Sequence, residues 1–207
     1  MTWDFLRSSY DTVADRYAAT FADELDRKPR DRELLDALAA STQDPILDLG
    51  CGPGQIGRRV RDGGRRVVGV DLSPAMAALA GVELDGAVAA DMRRLPIATG
   101  SLGGIVAFYS IIHIRRPAVA TVFAELHRVL RPGGRALLSA HAGQGTLEVA
   151  DFLGQPVPFA ATLFERDELV GFATAAGFDV DLAEQRPPYP DEHPTERLYL
   201  QVGKPSA

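Results

Sequence analysis

The run Ile46-Leu-Asp-Leu-Gly-Cys-Gly-Pro-Gly54 constrains this chain more than any other segment. It predicts a buried strand ending in a glycine-dense loop, with a helix starting directly afterwards at about Gln55. Ile46, Leu47 and Leu49 supply the strand. Gly50, Gly52 and Gly54 remove side chains where a ligand must meet the backbone. The unpaired N–H groups of the first helical turn then face the same crevice. In an open α/β sheet that crevice lies beyond the carboxyl end of the strand, where small ligands bind. A nucleotide-like cofactor site is therefore the first expectation.

The loop alone fits two cofactors. Gly52-Pro-Gly54-Gln-Ile-Gly57 satisfies G-x-G-x-x-G, and Asp71 follows about twenty residues on, as a dinucleotide fold requires. Against that reading, Asp48 lies two residues before the first glycine. A carboxylate there repels a pyrophosphate and attracts an ammonium. The glycines also begin early, at Gly50-Cys-Gly52, which widens the first turn beyond what a pyrophosphate loop needs.

Asp48-Leu-Gly-Cys-Gly-Pro-Gly54 resembles motif I of the class I S-adenosylmethionine-dependent methyltransferases, and further segments match in the same order. Val67-Val-Gly-Val-Asp-Leu-Ser-Pro74 resembles the second strand with its ribose-binding acid. Ala89-Ala-Asp-Met-Arg-Arg-Leu-Pro96 resembles the segment that touches adenine. Arg128-Val-Leu-Arg-Pro-Gly-Gly-Arg-Ala-Leu-Leu138 resembles the helix, turn and fifth strand. The likeness runs from about Tyr10 to about Lys204. It implies an α/β fold: a Rossmann-like, doubly wound, seven-stranded and mostly parallel sheet, with a C-terminal antiparallel hairpin and N-terminal helices. It also implies S-adenosylmethionine as cofactor, with S-adenosylhomocysteine as product. There is one departure. Relatives commonly carry an Asp beside an aromatic residue at the start of the fourth strand, where this chain has Ser101-Leu-Gly-Gly-Ile-Val106.

The resemblance implies a role for each matched residue. Asp48 and the Gly50 carbonyl take the amino-acid end of the cofactor, in the loop that Cys51, Gly52 and Gly54 complete. Asp71 accepts from both ribose hydroxyls. Leu72 and Met92 sandwich the adenine, Asp91 accepts from its amino group, and Phe108 closes the methionine end. Tyr10 and Tyr17 resemble the aromatic pair with which relatives cover the cofactor. Plainer readings stand beside these. Asp71 is also a candidate helix N-cap, although Ser73 before Pro74 suits that position better. Asp91 is equally a turn former, the two tyrosines are equally core residues of an amphipathic helix, and Cys51 reads as a small packed residue rather than a nucleophile.

At 207 residues the chain is read as a single domain, 1–207. Its parts are an N-terminal helical lid (1–43), a cofactor-binding core (44–140), a substrate loop (141–164) and a C-terminal helix and hairpin (165–207). Strands are expected at 45–50, 65–71, 86–90, 103–109, 133–140, 178–186 and 196–203. Helices are expected near 55–63, 74–81, 117–130 and 166–176, besides those of the first forty residues. The segment 141–164, which contains Pro156-Val-Pro158, is too long for a simple connection and is read as a lid or binding loop. The net charge of −6 argues against nucleic acid, no apolar run is long enough to span a membrane, and the N-terminus lacks a signal-peptide pattern. The single cysteine fits a cytoplasmic protein. A monomer or homodimer is expected.

The substrate face lies beyond the fourth and fifth strands, which makes Tyr109, Ser110, His113 and His141 candidates. His141 is the first choice for a general base or a hydrogen bond to substrate, and His113 the second. No metal is expected, because Phe108-Tyr-Ser-Ile-Ile-His-Ile114 contains no carboxylate. The partner is then a small-molecule methyl acceptor, methylated on O or N. The rivals are an NAD-dependent oxidoreductase and a cofactor-binding methyltransferase fold without turnover. A short-chain dehydrogenase would need Tyr-x-x-x-Lys, and neither Lys28 nor Lys204 has a tyrosine four residues before it.

Overall fold

The computed structural model describes residues 3–157 and 159–206. The two ends of the single-domain reading and Pro158 of the proline-flanked stretch lie outside the described residues. The chain begins with helices α1 (Trp3–Phe21) and α2 (Pro29–Ser41), joined by a short 3₁₀ turn at Glu24–Arg27. Strand and helix then alternate: β1 (Ile46–Leu49), α3 (Gln55–Asp62), β2 (Val67–Asp71), α4 (Pro74–Glu83), β3 (Ala87–Ala89), β4 (Leu102–Phe108), α5 (Arg116–Val129) and β5 (Leu130–His141). A short hairpin, β6 (Thr146–Val149) and β7 (Phe159–Thr162), precedes α6 (Arg166–Ala175), β8 (Asp179–Arg186) and β9 (Arg197–Gly203).

The main sheet has seven strands in the order β3-β2-β1-β4-β5-β9-β8. Strands β1 to β5 pair in parallel, and β9 runs antiparallel to both β5 and β8. The expected fold class is thus the observed one. The strand order reverses between β1 and β4, so the loops after these two strands diverge and leave a crevice.

Alternation along the buried strands sorts the side chains into two cores. Leu47, Leu49, Ile105 and Ala107 face the layer that contains Phe123 and Leu126 of α5 and Leu169 of α6. Ile46, Val106 and Phe108 face Leu34, Leu35 and Leu38 of α2 with Ile56 and Val60 of α3. Asp48 shares the second face, and it is 1% exposed. Its carboxylate accepts the Gly57 N–H at 2.8 Å. Ser73 caps α4 by accepting from the Met76 N–H at 3.1 Å, as the Ser-Pro pair predicts.

Two details differ from the sequence reading. β5 begins at Leu130, before Pro132, because Leu130 pairs with Leu102 and the chain then bulges before Arg135 pairs with Gly104. The segment 141–164 is not only loop, since β6 and β7 form a separate two-stranded sheet within it. At the start of β4, where relatives carry an acid, backbone ties serve instead: the Gly103 N–H donates to Pro45 O at 2.9 Å.

Gly57 holds α3 against β1, because a Cβ there would lie 2.7 Å from Asp48 Oδ2. Gly57→Ala is expected to lose about 2 kcal/mol in urea unfolding through overpacking. Gly171, on α6 with nothing within 4 Å of an added Cβ, is the control. Gly171→Ala is expected to gain about 0.5 kcal/mol from helix propensity. Equal effects at the two sites would contradict the packing.

Candidate active site

The loop after β1 is bound to the end of β2. The N–H groups of Gly50 and Cys51 both donate to Val70 O, at 2.7 and 3.1 Å. Asp71 Oδ2 accepts the Gly52 N–H at 2.9 Å, and Oδ1 accepts the Ser73 N–H at 2.8 Å. Gly50 adopts φ +70°, and a Cβ there would lie 2.2 Å from Ser110 Cβ, so the loop closes onto the end of β4 only with glycine at this position. Burial pushes the Asp71 carboxyl up, against the backbone N–H groups that hold it down.

Gly50, Gly52, Asp71, Leu72, Asp91 and Met92 line one crevice together, with Phe108 at its inner end. The structure therefore brings most of the cofactor candidates to one place. Asp91 is held by Arg93 through both carboxylate oxygens. Burial would raise its pKa, but these bonds outweigh that and hold it low. Cys51 lines the adjoining cavity, and burial pushes its thiol far up, as befits a packed residue. Two candidates stand elsewhere. Asp48 is buried against Gly57, whose N–H it accepts, and burial raises its pKa to about 7. Gly54 packs on Ala80 and Glu83 of α4, away from the crevice.

A larger cavity of about 670 Å³ adjoins the crevice. The two share Tyr10, Tyr17, Gly50, Gly52, Phe108 and Tyr109 as common wall. Tyr10 and Tyr17 sit on α1 with ring centroids 6.2 Å apart. α1 is docked across the mouth at three points. Tyr10 Oη meets His113 Nε2 at 2.7 Å, Arg16 donates to Leu153 O, and Asp11 Oδ1 accepts from Ser73 Oγ and the Ala75 N–H. The hairpin adds Leu147, Val149 and Phe159 to the cavity, and its connecting segment adds Phe152.

Both histidines expected at the site are there, in different roles. His113 Nδ1 contacts Ala160 O at 3.2 Å, and a carbonyl only accepts, so Nδ1 carries the proton. Nε2 then accepts from the Tyr10 hydroxyl. Both ring nitrogens of His113 thus have partners within the chain. His141 Nδ1 meets Thr195 Oγ1 at 2.8 Å, and its ring lies tilted against Tyr109 at 5.2 Å.

The sequence reading missed the far wall of the cavity, which is a buried ionic network. Lys28 pairs with Glu24 and lies 4.0 Å from Glu192. Glu192 also pairs with Arg186 at 2.7 Å and with Arg197 at 3.4 Å. Asp31 joins through Arg186 and the Tyr199 hydroxyl. Burial works against ionised Glu192, but Arg186, the Tyr189 N–H and Arg197 bring it to about 2. The only local signal was Pro187-Pro-Tyr-Pro190, which reads as a turn. Among the described residues no group of three or more His, Cys, Asp or Glu is arranged to hold a metal, and no helix is long and apolar enough to cross a membrane.

With this geometry established, known proteins can be compared. Residues 46–134 match the model of a methyltransferase domain family. Demethylmenaquinone methyltransferase of Beutenbergia cavernae is 36% identical over 135 residues, covering 63% of this chain and 55% of that protein. Malonyl-[acyl-carrier protein] O-methyltransferase of Serratia marcescens is 30% identical over 146 residues, covering 70% and 55%. The chain therefore spans about half the length of these curated relatives. Among solved structures, 1,6-didemethyltoxoflavin-N1-methyltransferase of Burkholderia thailandensis, determined with 1,6-didemethyltoxoflavin and S-adenosylhomocysteine, superposes with a TM-score of 0.75. That match has 24% identity and covers 98% of this chain and 88% of the other. Residues 46–134 thus match a methyltransferase domain, and the fold around them is shared with solved S-adenosylmethionine-dependent methyltransferases.

The site has a pH signature. Burial lowers His113 to about 4; burial and then the Arg197 charge lower His141 to about 3. Both lie below the ordinary 6.5, so the unfolded chain binds more protons as pH falls. Stability from these groups is then lost on acidification from pH 6.5 down through their native values. Asp48, raised to about 7, acts in the opposite sense between pH 7 and its ordinary value of 3.8. The informative measurement is therefore a difference between variants. His113→Gln removes its share, so going from pH 7.5 to 5 should shift stability by about 2 kcal/mol in favour of the variant relative to the parent. Parallel pH profiles in urea unfolding would contradict a buried neutral His113.

Proposed function

We propose that this chain transfers the methyl group of S-adenosylmethionine to a small molecule, by O- or N-methylation. The observation that carries this reading is the pair of adjoining cavities at the sheet's switch point, with Tyr10, Tyr17, Phe108 and Tyr109 as the wall between them. The residues of the crevice fit the cofactor's chemistry. Asp71 keeps spare acceptor capacity for the ribose diol beyond its two backbone bonds, since an ionised carboxylate has about four acceptor sites. Leu72 and Met92 give apolar walls for the adenine, and Asp91 gives an acceptor for its amino group. When bound, the sulfonium supplies an electrophilic methyl group.

The work of the chain's own residues is to orient and to exclude water. Core 44–140 holds the cofactor. The helices of lid segment 1–43 and the hairpin within 141–164 cover the acceptor, and segment 165–207 supplies the polar far wall. Tyr10, pinned by His113, keeps α1 closed over the shared wall. His141 stands at the acceptor end as a hydrogen-bond partner. The quoted relatives include an O-methyltransferase and an N1-methyltransferase, which supports keeping both O- and N-methylation in the reading.

Calorimetric titration with S-adenosylmethionine, S-adenosylhomocysteine and NADH tests the reading. Micromolar binding of the first two and none of NADH is expected. Asp71→Asn is expected to weaken S-adenosylhomocysteine at least about tenfold, by removing a charge-assisted acceptor. Asp48→Asn retains an acceptor for Gly57 and is expected to stay within about threefold of the parent. Binding of NADH alone would return Gly52–Gly57 to a dinucleotide meaning.

A further inference from the structure

The larger cavity has two ends of different chemistry. One end is made of rings. Phe152 and Phe159 stack at 4.9 Å with an interplanar angle of 16°. Tyr10 stands edge-on to both at 6.3 Å, and Tyr17 is tilted against Phe152 at 6.2 Å. Such a wall favours a flat, conjugated guest.

The other end is polar, and its charges are already matched. Lys28 is held by Glu24, whose second oxygen accepts from Gln55 Nε2 at 2.9 Å. Glu192 receives Arg186, Arg197 and the Tyr189 N–H. Arg197, 3% exposed, spends its remaining donors on Thr195 and His193. At the rim Arg27 pairs with Asp191 at 3.2 Å. A charged guest would meet no unmatched counter-charge here and would have to be desolvated without compensation.

His141 differs from these groups, because Nε2 has no hydrogen-bond partner among the described residues. Its protonation follows from its neighbours. Thr195 Oγ1 accepts from Arg197 Nη1 at 2.8 Å, and a guanidinium only donates. The Thr195 hydroxyl then has its own proton to give, and His141 Nδ1 is the acceptor 2.8 Å away. Where that proton is directed at Nδ1, the ring proton sits on Nε2, and this is the tautomer the proposal takes. Burial, and after it the Arg197 charge, keeps the ring neutral. The cavity's polar end therefore offers His141 Nε2–H as a neutral donor, beside the buried Tyr109 hydroxyl, which also has no partner among the described residues.

We propose that the methyl acceptor is an uncharged, flat ring compound with a carbonyl-type oxygen, which lies among Phe152, Phe159, Tyr10 and Tyr17 and accepts a hydrogen bond from His141 Nε2–H. The methyltransferase reading enters only in calling this guest the acceptor. Thr195 is a positioning residue that sets the tautomer.

Three probes of one outline test the proposal on protein saturated with S-adenosylhomocysteine: 2-acetylnaphthalene (a ketone), 2-isopropenylnaphthalene (its hydrocarbon isostere) and 2-naphthoate (an anion). The ketone is expected to bind about fivefold tighter than the hydrocarbon and at least about tenfold tighter than the anion. His141→Phe should bring the ketone down to the hydrocarbon's affinity and leave the hydrocarbon unchanged. Thr195→Val should weaken the ketone alone, and ¹⁵N spectra should show His141 as the Nε2–H tautomer in the parent but not solely so in this variant. Tightest binding of naphthoate, equal binding of all three, binding of none, or an Nδ1–H tautomer in the parent would each overturn the proposal. Failure of S-adenosylhomocysteine itself to bind would instead strike at the methyltransferase reading.

Discussion

The rest of the site depends on three loop N–H groups that the end of β2 satisfies. Gly50 and Cys51 donate to one carbonyl, Val70 O, and Gly52 donates to Asp71. A buried N–H without a partner costs about 1–3 kcal/mol, so a loop this tight is stable only where acceptors wait for it. The acid expected to meet the ribose is therefore also the acid that shapes the loop. The same carboxylate accepts from Ser73, Ser73 caps α4, and Asp11 of the lid helix bonds to Ser73. A continuous run of hydrogen bonds thus leads from the turn after β1 to α1.

The lid and the hairpin are held by another kind of force. Their ties are side-chain bonds such as Tyr10 to His113 and Arg16 to Leu153 O, plus contacts between rings. Several of these groups are exposed or half-buried, and few backbone ladders cross the mouth. Local opening draws on such weakly held elements first, while β1, β4 and β5 stay paired. The guest's route into the cavity therefore runs between α1 and the hairpin. The ionic network on the opposite wall does the reverse. Desolvating so many charges contributes little net stability, but removing one partner leaves another stranded, so the wall keeps one arrangement.

The parts legible in the sequence were those encoded contiguously. Strands buried on both faces appear as unbroken apolar runs, and α5 carries one apolar stripe, so these elements were found to within a few residues of their observed ends. The direction of the Asp48 side chain was contained in the strand pattern. Asp48 shares parity with Ile46, whose face packs on α2 and α3, so its side chain turns sideways into that layer rather than forward into the crevice. The hairpin was hidden because β6 is only Thr146-Leu-Glu-Val149 and follows Gly143 and Gly145, which read as loop. Lys28, Glu192 and Arg197 had no role in the sequence reading: the fold alone brings Lys28 to Glu192 and Arg186 to Asp31, the latter pair 155 residues apart.

This division has a chemical consequence. The cofactor half is built largely from backbone and from acids that also hold the backbone, so a substitution there changes the fold of the loop and the site together. The acceptor half is built from side chains just before α2, in the hairpin segment and at the start of β9, such as Lys28, Phe152 and Arg197, none of which lies on β1 or β4. Residues 46–134, the segment that matches the methyltransferase domain family, contain the first half and little of the second. On the proposed function, the matched segment holds the methyl donor, and the side chains outside it select what is methylated.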